Sequence, residues 1–129
     1  MKIKILSLTF LLLAVTSCLK SQTDGVQVLD VATYETKMSQ PDVQLVDVRT
    51  PEEFNDGHIE NAVNINFMSD DFDANVAGLD KAKPVMVYCK SGGRSAKAAA
   101  RLKELGFKTI TDLEGGISNW KSDNKPVVK

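Results

Sequence analysis

Cysteine and histidine are nearly absent from this chain. Among its 129 residues there are two cysteines, Cys18 and Cys89, and one histidine, His58. No Cys-x-x-Cys pair exists, which argues against a thioredoxin-like dithiol site. So short a supply of thiolate and imidazole ligands argues against a zinc centre as well. No excess of one charge is present either: 16 basic residues face 17 acidic ones, for a formal net charge of −1. A nucleic-acid partner would call for a basic footprint, which this balance does not supply. Internal repeats and low-complexity tracts are missing too. What remains is an ordinary mixture, 43% hydrophobic and 26% charged, of a length that suits one globular domain.

The longest apolar run lies near the start. Lys2 and Lys4 precede Ile5 to Val15, eleven residues that are too few to cross a bilayer as a helix but suit the core of a signal peptide. Val15-Thr16-Ser17-Cys18 follows and looks like a bacterial lipobox, in which Cys18 becomes the lipidated first residue of the mature chain. An ordinary secretory signal with a cysteine near its cleavage site is the plainer reading. On the lipobox reading, residues 1–17 are a lipoprotein signal peptide, 18–25 a polar lipid-anchored tether, and 26–129 the folded domain. Several acyl chains on Cys18 would hold that domain to a membrane of the bacterial cell envelope, facing the periplasm, since one chain alone binds only marginally. Leu19, where an inner-membrane retention signal often has Asp, hints at the outer membrane. Cys89 would then be the only free thiol.

Along the domain, strand and helix patterns alternate. Val26–Leu29 reads as a brief strand, and Asp30 as the N-cap of a helix over Val31–Met38 that ends before Pro41. Val43–Val48 is a second strand. Thr50-Pro51-Glu52-Glu53 then supplies a capping box with proline at the first helical position, and Gly57 closes that short helix. Ala62–Phe67 reads as a third strand and Ser69–Leu79 as an acidic helix. A buried strand Val85–Tyr88, a helix Ser95–Leu105 stopped by Gly106, a strand Thr109–Leu113 and a short helix Ile117–Lys121 complete the pattern. Such alternation predicts an α/β fold, a parallel sheet with helices on both faces, whose ligands bind at the carboxyl ends of the strands.

Cys89 stands at one of those ends. After it come Lys90-Ser91-Gly92-Gly93-Arg94-Ser95, a small-residue loop that runs into a helix. Successive backbone N–H groups and a helix N-terminus favour an anion there, and Arg94 adds a permanent positive charge. These surroundings favour the thiolate, the working nucleophile. A lone cysteine is often merely a small buried hydrophobe. An inert one, however, would need neither the two glycines, which allow positive φ and close approach, nor the arginine.

Three segments together resemble the rhodanese-like domain in its single-domain bacterial form. They are Leu45-Val46-Asp47-Val48-Arg49-Thr50-Pro51-Glu52-Glu53-Phe54, followed by Gly57-His58-Ile59 and Ala62-Val63-Asn64-Ile65; Val87 to Ser95; and Leu113-Glu114-Gly115-Gly116-Ile117-Ser118-Asn119-Trp120. The resemblance spans roughly Val26 to Val128. It implies a five-stranded parallel sheet and sulfur transfer through a cysteine persulfide, without a cofactor or metal. Cys89 would attack the outer sulfur of a donor such as thiosulfate. The resulting persulfide would be cradled by the N–H groups of Lys90, Ser91, Gly92, Gly93, Arg94 and Ser95, and a thiol or cyanide would carry the sulfur away. Lys90 is a candidate guide for an anionic donor. Arg94 is expected to point inward and pair with Asp47, making Asp47 structural, while Arg49 matches the family's Asp-x-Arg position and ties loops at the edge of the site. His58 is read as a loop-fixing residue, since a thiolate needs no base, and Trp120 as packing the last helix on the core.

Two other functions compete. Phosphatases and arsenate reductases that resemble this domain carry one residue more between cysteine and arginine than the four found here. The shorter ring of N–H groups suits one sulfur atom better than a tetrahedral phosphate, and no acid lies within it to protonate a leaving group. The second competitor is a sulfur-carrier or binding module that needs a partner protein to deliver or accept sulfur. It would use the same Cys89.

Overall fold

The computed structural model describes residues 25–129, so the signal-peptide and Cys18 expectations lie outside the described residues. The elements run β1 (Val26–Leu29), α1 (Val31–Met38), β2 (Gln44–Asp47), α2 (Pro51–Asn55), β3 (Val63–Asn64), α3 (Phe72–Val76), β4 (Val85–Tyr88), α4 (Gly93–Glu104), β5 (Ile110–Leu113) and α5 (Gly116–Ser122). The five strands form one sheet in the order β1-β5-β4-β2-β3, every neighbouring pair parallel. The α/β alternation expected from sequence is therefore the observed architecture.

Local chemistry explains where the helices start. Asp30 accepts a hydrogen bond from the Thr33 amide (2.9 Å) at the head of α1. Thr50 and Glu53 close a full capping box around Pro51 at the head of α2. In α4 the buried positions Ser95, Ala98, Ala99 and Leu102 follow the i, i+3, i+4, i+7 spacing of one helical face. Three of these four are small, so α4 lies close against the sheet.

The central strands separate two cores. Val85 and Val87 of β4 point into one, with Val46, Ile110, the α3 residues Phe72 and Val76, and the α4 face. Met86 and Tyr88 point into the other, with Val31 and Tyr34 of α1, Leu113, and Ile117 and Trp120 of α5. All four residues of β4 are buried, as a strand covered on both faces must be.

Two expected elements are shorter than their sequence pattern. The Ala62–Phe67 strand contracts to Val63–Asn64, because β3 is an edge strand that pairs only with Val46 and Asp47 of β2. The Ser69–Leu79 helix contracts to Phe72–Val76: Asp71 makes no side-chain cap, and the Ser69 hydroxyl instead bonds the Asp71 amide in a turn (3.2 Å). With every strand parallel, Asp47, Cys89 and Glu114 emerge at one end of the sheet. The connection after β2 leads outward to β3 and that after β4 leads to β5, so the crevice between these two strand ends is the topological switch point.

Candidate active site

The loop after β4 begins with Cys89, a free thiol that is only 1% exposed. Its Sγ receives the Gly92 amide at 3.0 Å and the Ser95 hydroxyl at 3.3 Å. That hydroxyl lies equally far from the Gly92 carbonyl (3.3 Å), and its single proton serves one acceptor at a time. Gly92 carries a φ of 115°, which aims its amide back at the sulfur and which residues with a Cβ rarely adopt. Gly93 has no positive φ and open space where a Cβ would sit, so of the two glycines only Gly92 is required by the loop.

A second segment holds the loop from outside. The amides of Ile117 and Ser118, in the first turn of α5, donate to the carbonyls of Cys89 (2.9 Å) and Lys90 (3.0 Å). With these carbonyls pulled outward, the peptide groups that follow are free to turn their N–H groups inward. The approach is so close that a Cβ on Gly116 would stand 2.5 Å from both carbonyl oxygens. The Gly115-Gly116 pair thus belongs to the loop's support, a contact between segments distant in the chain that local patterns do not reveal.

Arg94 does not pair with Asp47. Its guanidinium forms a two-pronged bond to Glu53, Nη1 to Oε1 at 2.6 Å and Nη2 to Oε2 at 2.9 Å. Asp47 is already taken by Arg49, whose Nε and Nη2 donate to its two oxygens (Nη2–Oδ2 2.7 Å) while the Arg49 amide bonds Oδ1 at 2.9 Å. An arginine two residues away reaches that carboxylate without crossing the loop, leaving no site for Arg94. Arg49 Nη2 also donates to the Gly57 carbonyl (2.7 Å), and its guanidinium lies 5.8 Å from the Tyr88 ring centroid. Asn64 Nδ2 bonds the carbonyls of Asp47 and Arg49, fastening the same turn to β3. Hydrogen bonding to Arg94 holds the Glu53 carboxyl down to about 2. Glu53 therefore does two jobs, capping α2 and anchoring Arg94; its capping-box role was legible and its second role was not.

A cavity of about 200 Å³ opens beside the loop, lined by Arg49, Glu53, Asp56, Lys90, Ile117, Ser118 and Lys121. Lys90 is exposed at its edge, and Lys121 of α5 adds a second ammonium that the sequence motifs did not single out. Cys89 is not part of this lining; its sulfur lies deeper, under Gly92 and Ser95. Ser91 is exposed at the outer turn of the loop. His58 is turned away from the cavity lining, stacked on Phe54 (ring centroids 3.7 Å apart) with Nδ1 2.9 Å from the Phe54 carbonyl. Trp120 is 3% exposed and donates from Nε1 to the Pro126 carbonyl (2.8 Å). Among the described residues no cluster of three His, Cys, Asp or Glu could hold a metal ion.

One buried group escaped the sequence reading. Asp112 of β5 is 3% exposed, and its Oδ1 has no hydrogen-bond partner. Burial pushes its carboxyl up to about 6, opposed only by the Ser95 hydroxyl and the Leu113 amide. An aspartate inside the strand Ile110–Leu113 was the available signal, since Asp is depleted in strands.

Comparison with known proteins agrees with this geometry. Residues 30–123 match the family model described as the rhodanese-like domain. Thiosulfate sulfurtransferase 16, chloroplastic, from Arabidopsis thaliana is 37% identical over 91 residues, which cover 63% of this chain and 76% of the relative. Thiosulfate sulfurtransferase GlpE from Shewanella oneidensis is 38% identical over 82 residues, covering 64% of this chain and 79% of the relative. Among solved structures, a rhodanese-related protein from Thermoplasma volcanium superposes with a TM-score of 0.70 at 32% identity, covering 79% of this chain and 97% of that one.

Proposed function

The chain belongs to the rhodanese-like domain family and is a rhodanese-type sulfurtransferase, and from that premise we propose that it moves sulfane sulfur through a persulfide on Cys89. The observation that carries this reading is the floor of the loop: one amide and one hydroxyl converge on Sγ, with four residues between Cys89 and Arg94. Two donors on a sulfur stabilise negative charge there, as an oxyanion hole does on oxygen.

The Cys89 thiolate attacks the outer sulfur of an anionic donor such as thiosulfate. A bond forms between the two sulfurs, the donor's own S–S bond breaks, and sulfite leaves with the electron pair. The persulfide extends roughly 2 Å beyond Sγ, beside the Gly92 amide that already points at the sulfur. Cyanide or a thiolate then takes the terminal sulfur and restores the Cys89 thiolate, giving two half-reactions of the ping-pong kind. Lys90 and Lys121 at the cavity draw in the anionic donor, while the Arg94–Glu53 and Arg49–Asp47 pairs hold the loop and the turn facing it.

A thiosulfate:cyanide assay tests the reading. Wild type is expected to turn over and Cys89→Ser to be inactive. A protein that gains roughly 32 Da, one sulfur on the thiol, but does not turn over would be a carrier that depends on a partner protein. If Cys89 accepts no sulfur from any donor, the proposal fails.

We propose further that Cys18 carries a lipid anchor that holds the domain at the bacterial cell envelope, facing the periplasm. The Val15-Thr16-Ser17-Cys18 run supports this. Labelled palmitate is expected in the wild-type protein and not in Cys18→Ala; equal labelling, or none in either, rejects the anchor.

A further inference from the structure

Every strand of the sheet runs the same way, so the two ends of the domain are built from different segments. The carboxyl end carries the Cys89 loop. The amino end carries the segments that enter the strands, and lysines gather there. Lys81 and Lys83 precede β4, and Lys108 precedes β5. Lys103 stands in the last turn of α4, the helix that returns from the Cys89 loop to the amino end. All four are exposed. The Lys108 amide donates to the Lys81 carbonyl (3.3 Å), which ties the two entering segments into one surface.

The carboxylates around this end are largely engaged. Asp73 and Glu104 are both held by Arg101, and Asp80 Oδ1 accepts the Ala82 amide (2.9 Å). Asp42 reaches Lys83 only at 3.8 Å. Among the described residues Lys81, Lys103 and Lys108 have no ion-pair partner. The carboxyl end has a different balance. Around Lys90 and Lys121 of the site cavity, Asp30 after β1, Glu52 and Asp56 at α2, and Glu114 after β5 are all exposed.

The chain also enters the domain on the lysine side. Gly25 leads into β1, and a Cβ placed on it would lie 3.7 Å from Lys103 Nζ. From Cys18 to Val26 the backbone reaches at most about 28 Å when fully extended. A domain of this length is about 33 Å across. Setting the carboxyl end on a bilayer would lift Val26 by that full width, beyond the reach of the tether.

We infer that the face formed by Lys81, Lys83, Lys103 and Lys108 docks on anionic phospholipid headgroups, so that the anchored domain stands with its Cys89 loop turned away from the bilayer. The inference rests on the Cys18 anchor proposed above. The acyl chains limit only how far the domain can drift. The lysines set which way it faces, because ammonium groups within a Debye length of an anionic surface are drawn to it while the carboxylates of the other end are repelled. Sulfur donor and acceptor then reach Cys89 from the aqueous phase.

The test is lysine acetylation, read residue by residue by mass, on the full lipidated protein in vesicles of phosphatidylcholine alone or mixed with phosphatidylglycerol. Lys81, Lys83, Lys103 and Lys108 are expected to react at least about fivefold more slowly on the anionic vesicles, and Lys90 and Lys121 to change less than about twofold. High salt should erase the difference. The double variant Lys103→Glu, Lys108→Glu should lose the protection of Lys81 and Lys83, yet still sediment with the vesicles and keep its thiosulfate:cyanide activity. Protection of Lys90 and Lys121 instead, or equal protection at both ends, overturns the orientation. Four lysines equally reactive on both vesicles, as a face reserved for a protein partner would be, overturns the docking. Palmitate labelling separates the two readings: no label on Cys18 rejects the anchor and the docking with it, whereas a labelled protein whose four lysines stay reactive rejects the docking alone.

Discussion

Two arginine–carboxylate pairs stand at the same end of the sheet, and they differ in almost everything except their chemistry. Arg49 and Asp47 are buried, with side chains 5% and 0% exposed, whereas Arg94 and Glu53 are 26% and 29% exposed. Both are two-pronged forks. The buried pair adds a backbone amide, the Gly57 carbonyl and the Tyr88 ring, so nearly every donor and acceptor is satisfied. The outer pair joins α2 to the first turn of α4 and shares Glu53 with the Thr50 cap. A buried ion pair is dangerous to break because the survivor is left as an uncompensated charge, whereas water rescues the members of an outer pair. The inner pair therefore fixes the fold at the switch point, and the outer pair trims the active loop.

The sharpest way to break this comparison is Arg49→Ala, which strands the Asp47 carboxylate. Its expected loss is about 3–5 kcal/mol in urea unfolding; a loss as small as that of an outer-pair variant would erase the distinction. Gly116→Ala comes next. Its Cβ would enter the carbonyls of Cys89 and Lys90, so sulfur transfer should fall by at least tenfold with the overall fold retained, while Gly93→Ala should leave activity within about twofold. Equal activities for the two variants would show that α5 does not clamp the loop.

Asp112→Asn should act in the opposite direction on stability. Its carboxyl is raised to about 6 in the folded state, so the folded protein binds the extra proton between the unfolded value and 6. Wild-type stability should then fall as pH rises through that window and level off above it. The amide variant is expected to gain roughly 3 kcal/mol over wild type at pH 7.5 and under about 1 kcal/mol near pH 4. A variant equally destabilised at both pH values would contradict this sign.

Arg94→Gln, which breaks the outer pair, is expected to lose under about 1 kcal/mol of stability while lowering activity more than that loss explains. Glu53 sets the pH range of the pair. Its folded carboxyl, held down to about 2, contributes stability that is full above the ordinary carboxylate value and lost only as pH falls towards 2. Acid unfolding of wild type and Glu53→Gln should therefore differ at neutral pH and converge near pH 2; a constant gap across that range would mean that the pair does not titrate as described.

Much of this was written locally. Periodicity and caps located β1, α1, α2, β4, α4 and β5 to within two residues, because each rests on near neighbours: the Asp30 cap, the Thr50–Glu53 box, the apolar run Val85–Tyr88, the small-residue face of α4. Cys89 and its loop were legible for the same reason, as a thiol, a left-handed glycine and an arginine in continuous sequence. β3 and α3 were overdrawn, since how far an edge strand or a surface helix extends depends on what it packs against.

Partner choice could not be read from spacing. That Arg94 meets Glu53 rather than Asp47 follows from Arg49 filling the Asp47 carboxylate first. The α5 amides on the loop carbonyls join segments across a long stretch of chain, and the burial of Asp112 with an unpartnered Oδ1 depends on the sheet around it. The sequence by itself determined the α/β class and the family and singled out the Cys89 loop, because periodicity, capping and a continuous loop are short-range properties. Only the tertiary structure decided which charges pair, which glycine the loop requires and which carboxylate is buried, because these depend on competition among groups that meet only once the sheet has formed.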